Sequence, residues 1–85
     1  VKIYAVFDDK ARVYGTPQFM LTDGIAIRTL ADVVKEPSSM IAKHPEDFSM
    51  YELGSYDEAS GKITPLENPA FLIRAVSLIE ESGNK

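Results

Sequence analysis

The chain contains no cysteine and only one histidine. Without thiols there is no disulfide framework, no thiolate zinc or iron–sulfur centre and no thiol nucleophile, and the redox compartment leaves no trace in the sequence. Long apolar runs are also missing. Ile3 to Phe7 and Ala70 to Ile73 fall far short of the roughly 20 residues that span a bilayer, and no basic-then-apolar leader opens the chain; a soluble intracellular protein is expected. Positive charge is in deficit: 9 Lys and Arg face 13 Asp and Glu, for a net charge of −4 and a pI near 4.8. That balance does not suit a protein that neutralises a phosphate backbone over a wide footprint. Finally, there is no glycine-rich phosphate loop, no G-x-S-x-G turn and no nucleophile beside a plausible base, so enzymatic activity is not expected.

What is present suits one small domain. The 85 residues are 45% hydrophobic and 26% charged, ordinary globular proportions that argue against disorder. A chain of 9.4 kDa should expose roughly 5,000 Å² when folded and bury about 63% of its unfolded surface, so its stability is modest and a partner subunit would help. The charge is uneven: residues 1–44 carry six Lys or Arg against five acids, residues 45–85 three against eight. The halves are +1 and −5, which permits a local basic surface on the first half.

The pattern predicts α+β architecture. In Val1 to Asp8, β-branched and aromatic residues dominate and Ile3, Ala5 and Phe7 share one face opposite Lys2, Tyr4 and Val6, the signature of a strand. Asp9 to Leu21, with Gly15 and Pro17, reads as a long loop with room for a short extended piece at Gln18 to Leu21. Thr22 to Glu36 reads as a helix with Thr22 or Asp23 as N-cap, an apolar stripe of Ile27, Leu30, Ala31 and Val34, and Pro37 as stop. Ser38 to Asp47 is an irregular link with at most one turn. Phe48 to Tyr56 and Gly61 to Leu66 form a hairpin around Asp57–Ser60, Gly61 suiting a positive φ. Asn68 and Pro69 start a second helix carrying Phe71, Leu72, Ala75, Val76 and Ile79; the alternative is a short strand at Phe71 to Ala75 followed by a mobile tail. The expected fold is a three-stranded, mainly antiparallel sheet packed by one or two helices in the order β-α-β-β-α. Residues 1–66 form the domain and 67–85 its helical extension. Two open sheet edges make a homodimer the expected assembly.

Chemistry-bearing residues are few. His44 stands beside Pro45, Glu46 and Asp47, but no further donor sits at a recognisable metal-ligand spacing, so a capping loop residue is the plainer reading and no metal is expected. The acid pairs Asp8-Asp9, Glu46-Asp47, Asp57-Glu58 and Glu80-Glu81 are sequence neighbours, as solvated turns are. Asp57 to Gly61 departs from a calcium loop, because Ala59 replaces a ligand. Tyr4, Tyr14, Phe19, Tyr51 and Tyr56 interleave with Lys2, Lys10, Arg12, Arg28 and Lys43, the ingredients of a surface that stacks bases beside a cationic track. Phe7, Phe19, Phe48, Tyr51 and Phe71 are more simply read as core.

The opening KIYAVFDDKARVYGTPQF, the segment TDGIAIRTLADVV and above all KHPEDFSMYELGSYDEASGKI (Lys43 to Ile63), with its HPEDF, YELG and YDE-x-SG runs, resemble the small nonstructural protein of gokushovirus-type microviruses, which are single-stranded DNA phages. The resemblance covers residues 2–66. It implies a replication-associated, DNA-binding phage protein of the host bacterial cytoplasm. Such a protein is treated as the counterpart of one that turns replication from duplex copying to single-strand production and packaging. It implies no catalytic residue and no cofactor. The positions matching its basic and aromatic pattern are Lys2, Tyr4, Lys10, Arg12, Tyr14, Arg28, Lys43 and His44. Single-stranded DNA is the implied partner. A protein-interaction adaptor that meets the replication initiator or procapsid without touching DNA is the alternative.

Overall fold

β1 (Lys2–Asp8) is the central strand of the computed structural model, which describes residues 1–83. Asn84 and Lys85, the end of the expected extension, lie outside the described residues. One edge of β1 pairs antiparallel with β4 (Phe48–Asp57), from Asp8↔Phe48 to Lys2↔Ser55. The other edge takes two short strands in succession, β2 (Val13–Tyr14) at Phe7 and Asp8 and β3 (Gln18–Met20) at Lys2 to Tyr4. The expected long loop is thus the returning arm of a hairpin. It is interrupted where Pro17 offers no N–H to the ladder, while the Gly15 amide still donates to the Val6 carbonyl at 2.7 Å. β5 (Lys62–Arg74) covers the far edge of β4, so the sheet is antiparallel with five strands rather than the expected three.

Two further expectations are corrected. The first helix, α1 (Asp23–Val33), stops before Glu36, the chain turning through Lys35 and Glu36 amides bonded to Asp32 and Val33 carbonyls. Its start is as expected, the Thr22 hydroxyl accepting the Ile25 amide at 3.2 Å. The second long helix begins at Ala75 rather than Asn68: α3 is Ala75–Gly83. The cap signal at Asn68-Pro69 loses to cross-strand pairing, because Ala70, Phe71 and Ile73 find partners in Glu52, Tyr51 and Met50. Leu66 to Pro69 bulge out of the ladder, so Pro69 sits where no ladder N–H is needed. Between the long helices lie the one-turn α2 (Met40–Lys43), capped by the Ser39 hydroxyl, and a 3-10 turn over Pro45–Asp47, one helical turn more than the single turn expected of this link.

α1 and α3 cover one face of the sheet. Tyr4, Phe48 and Met50 of the strands meet Ala26, Leu30 and Val34 of α1 and Ala75 and Leu78 of α3 in a single core. Among the described residues the other face carries no helix. The long β4–β5 hairpin reaches beyond the helices and stretches the molecule to 43 × 27 × 20 Å, which accounts for an exposed area of 5,564 Å², somewhat above the roughly 5,000 Å² of a rounder chain this size.

The two hairpins turn alike. Asp8 to Val13 and Asp57 to Lys62 each close over four residues; the Asp carbonyl accepts the fourth amide at 2.7 Å and the Asp carboxylate accepts the second at 3.0 Å. In both turns the fourth residue has positive φ: +61° at Arg12 and +75° at Gly61.

Candidate nucleic-acid interface

Alternation along the strands sends Ile3, Ala5 and Phe7 of β1 to the helix-free face, with Tyr14, Phe19, Tyr51, Tyr56 and Phe71 as their neighbours across the sheet. Six of the chain's eight aromatics therefore stand on the side that the helices leave open. Four form a row across the strands, with ring centroids 4.7 Å apart for Phe7–Tyr14, 5.7 Å for Tyr14–Tyr51 and 5.8 Å for Tyr51–Phe71, the last two edge to face. Phe19 and Tyr56 form a second pair at 5.4 Å. Ile3 and Ala5 are buried on this same face, while Tyr14 and Phe71 stay 42% and 57% exposed. The rings therefore seal the sheet and still present π surface to water.

The row ends in an open recess of about 500 Å³. Phe7, Tyr14 and Tyr51 line it together with two arginines, Arg12 and Arg74, and three acids, Asp9, Glu46 and Asp47. The Arg12 guanidinium lies 5.4 Å from the Phe7 ring centroid and 3.0 Å from the Asp9 carboxylate. Arg74 donates to the Glu46 main-chain carbonyl at 3.2 Å. Arg12 is held over the rings by a left-handed backbone seat that costs a non-glycine residue about 1–2 kcal/mol. Cations beside a stack of rings can grip phosphate while bases lie on the aromatics.

The eight residues expected to form one basic and aromatic surface are divided. Arg12 and Tyr14 lie at the recess. Lys10 and His44 border an adjoining smaller hollow, about 250 Å³, that shares Asp47 with it, and Lys43 is exposed just before His44. Arg28 is exposed on α1, in the layer across the sheet from Tyr14. Lys2 is held by Asp23 at 3.3 Å and Glu52 at 3.6 Å, and the hydrogen bond to Asp23, then the charge of Glu52, raise its pKa. Tyr4 is fully buried, so it cannot stack on a base. Its hydroxyl donates to Asp23 at 2.5 Å. Burial first, then this bond, push the Tyr4 pKa upward, and the same hydroxyl, ahead of Lys2, holds the Asp23 carboxyl below its ordinary range. These two residues tie β1 to the start of α1.

Sequence reasoning missed Phe7, Phe71 and Arg74 as candidate contacts and read Tyr51 as both core and contact. The period-two placement of Phe7 and Tyr51 is visible in the sequence; that of Phe71 and Arg74 shows only under the alternative strand at Phe71 to Ala75, which the helical spacing outweighs. Among the described residues, His44, Glu46 and Asp47 bring ligand atoms within 4.8 Å of one another, which the sequence spacing did not suggest. His44 and Glu46 are exposed and Asp47 is half-buried, and nothing further points to an ion.

Comparison with known proteins places the chain among phage proteins. The family model described as Phage ORF5 protein matches residues 1–78. Protein ORF5 of Chlamydia phage 1 is 33% identical over 69 residues, covering 75% of this chain and 71% of that protein. No solved structure matches.

Proposed function

The chain belongs to the Phage ORF5 protein family, and from that premise we propose that it binds single-stranded DNA on the helix-free face of its sheet during replication or packaging of the phage genome. The observation that carries this reading is the aromatic row that ends between Arg12 and Arg74. Unpaired bases expose π faces that stack on such rings for about 1–3 kcal/mol each, whereas a duplex keeps its bases stacked inside. With stacking supplying most of the affinity, two arginines suffice for the phosphates, which reconciles binding with a net charge of −4. A homodimer would present two such faces to one strand and add avidity.

Fluorescence anisotropy with a labelled mixed-sequence oligonucleotide tests this. At roughly 50 mM salt a dissociation constant between about 10⁻⁶ and 10⁻⁴ M is expected, with a log–log salt slope between about −1 and −2 for two phosphate contacts. The double variant R12A/R74A should flatten that slope. Absence of binding by the wild type at low salt overturns the reading.

A second reading is favoured by the other end of the same face. Phe19 and Ile63 are 51% and 56% exposed beside Tyr56, with exposed apolar side chains of the kind that mark protein contacts. This patch suits an adaptor that meets the replication initiator or procapsid. Co-purification lost on substituting Phe19 and Ile63, with oligonucleotide binding unchanged, would assign that role to the patch alone.

A further inference from the structure

We infer that the recess prefers nucleobases bearing an exocyclic amino group, cytosine foremost among the pyrimidines, over thymine or uracil; the inference rests on the DNA-binding reading and specifies its ligand. Glu46 and Asp47 line the recess alongside Arg12 and Arg74, with Arg74 donating to the Glu46 main-chain carbonyl rather than to its carboxylate. The ion pairs among the described residues engage Lys2 with Asp23 and Glu52, and Arg12 with Asp9, and leave both of these acids out. Two unneutralised carboxylates are a liability in a surface that meets only phosphate, since like charges repel. They become an asset where the base edge reaches them. With a phosphate at the arginines and the base lying on the exposed ring of Tyr14, the hydrogen-bonding edge of the base is the part of the nucleotide free to meet the acids. A carboxylate only accepts hydrogen bonds at neutral pH. The cytosine N4 amino group donates to it in a charge-assisted bond. Thymine and uracil place the O4 acceptor at that position, oxygen against oxygen, and their one N3–H donor lies between two carbonyl oxygens that the carboxylates repel. Adenine, through its N6 amino group, is accommodated on the same grounds.

Oligo(dC) and oligo(dU) of about 15 nucleotides give a clean comparison, because the two bases have the same ring size and backbone and differ at ring positions 3 and 4 alone. In slightly alkaline buffer at low salt, the wild type is expected to bind oligo(dC) on the order of 5-fold more tightly than oligo(dU). In the double variant E46Q/D47N the ratio should fall toward one, chiefly because oligo(dU) binds better once the repulsion is gone, a gain that misfolding cannot produce. Equal binding of the two strands by the wild type, or tighter binding of oligo(dU), overturns the base preference and leaves the DNA-binding reading standing. Failure of both strands to bind overturns that reading and the preference with it.

Discussion

The turns at Asp8–Val13 and Asp57–Lys62 have the same length, the same Asp carboxylate bonded to the second loop amide and the same left-handed fourth position. They differ in what occupies that position. Gly61 sits there without strain, with open space where a Cβ would stand; Arg12 sits there at a steric cost and reaches over Phe7 into the recess. A turn that tolerates glycine in one hairpin and carries arginine in the other is placing a side chain, and backbone strain of this kind collects where a residue has work to do. The turn at the tip of the long hairpin shows the relaxed version.

The largest expected effect lies in the second hairpin. A Cβ at Gly54 would collide with the Thr64 carbonyl oxygen and lie 2.8 Å from the Pro65 Cα. Both are backbone atoms of the neighbouring strand, so Gly54→Ala should destabilise by about 2–4 kcal/mol in chemical denaturation. In the first hairpin the corresponding anchor is a side chain. Tyr4→Phe removes a buried hydroxyl donated to Asp23 and should cost about 1–2 kcal/mol. It should also change the acid limb of the stability curve. Because the folded Asp23 carboxyl is held below its ordinary pKa, its contribution is complete above the unfolded carboxylate pKa and is lost as pH falls through the lowered folded value. In Tyr4→Phe that loss should shrink, and an unchanged acid limb would show that Asp23 does not carry it.

Smaller effects bear on the turns themselves. Gly61→Ala meets no neighbouring atom and should cost about 1 kcal/mol through φ alone. Arg12→Gly releases a similar strain but gives up an exposed ion pair and the Phe7 contact, each worth about 0.5–1 kcal/mol. Its stability should therefore stay within about 1 kcal/mol of wild type while oligonucleotide binding weakens. A marked loss of stability in Arg12→Gly would show that the arginine is there to hold the turn.

The same contrast explains what could be read from the sequence. The second turn was legible because Gly61 announces a positive φ. The first was not, because Asp-Asp-Lys-Ala-Arg lacks that glycine, and with the turn went β2 and the pairing of β3, of which only an extended piece at Gln18 to Leu21 was legible. α1 was visible in its cap and apolar stripe, whereas β5 was mistaken beyond Leu66 because Asn68-Pro69 is a valid local start signal that strand pairing overrode. The site suffered in consequence. Tyr14 and Arg12 were named from residue type, but a face is a property of register, and register across five strands cannot be read from one strand at a time. Tyr4 alternates correctly with Phe7 along β1; only the helices decide which of the two sides becomes core.

The central claim concerns which face meets the strand, and aromatic ¹H–¹³C NMR during an oligonucleotide titration observes the rings directly. The account predicts that Tyr14, Tyr51 and Phe71 resonances move together and saturate while those of Tyr4 and Phe48 stay in place. Saturable shifts gathered around Arg28 and Lys43, with the aromatic row unmoved, would contradict it.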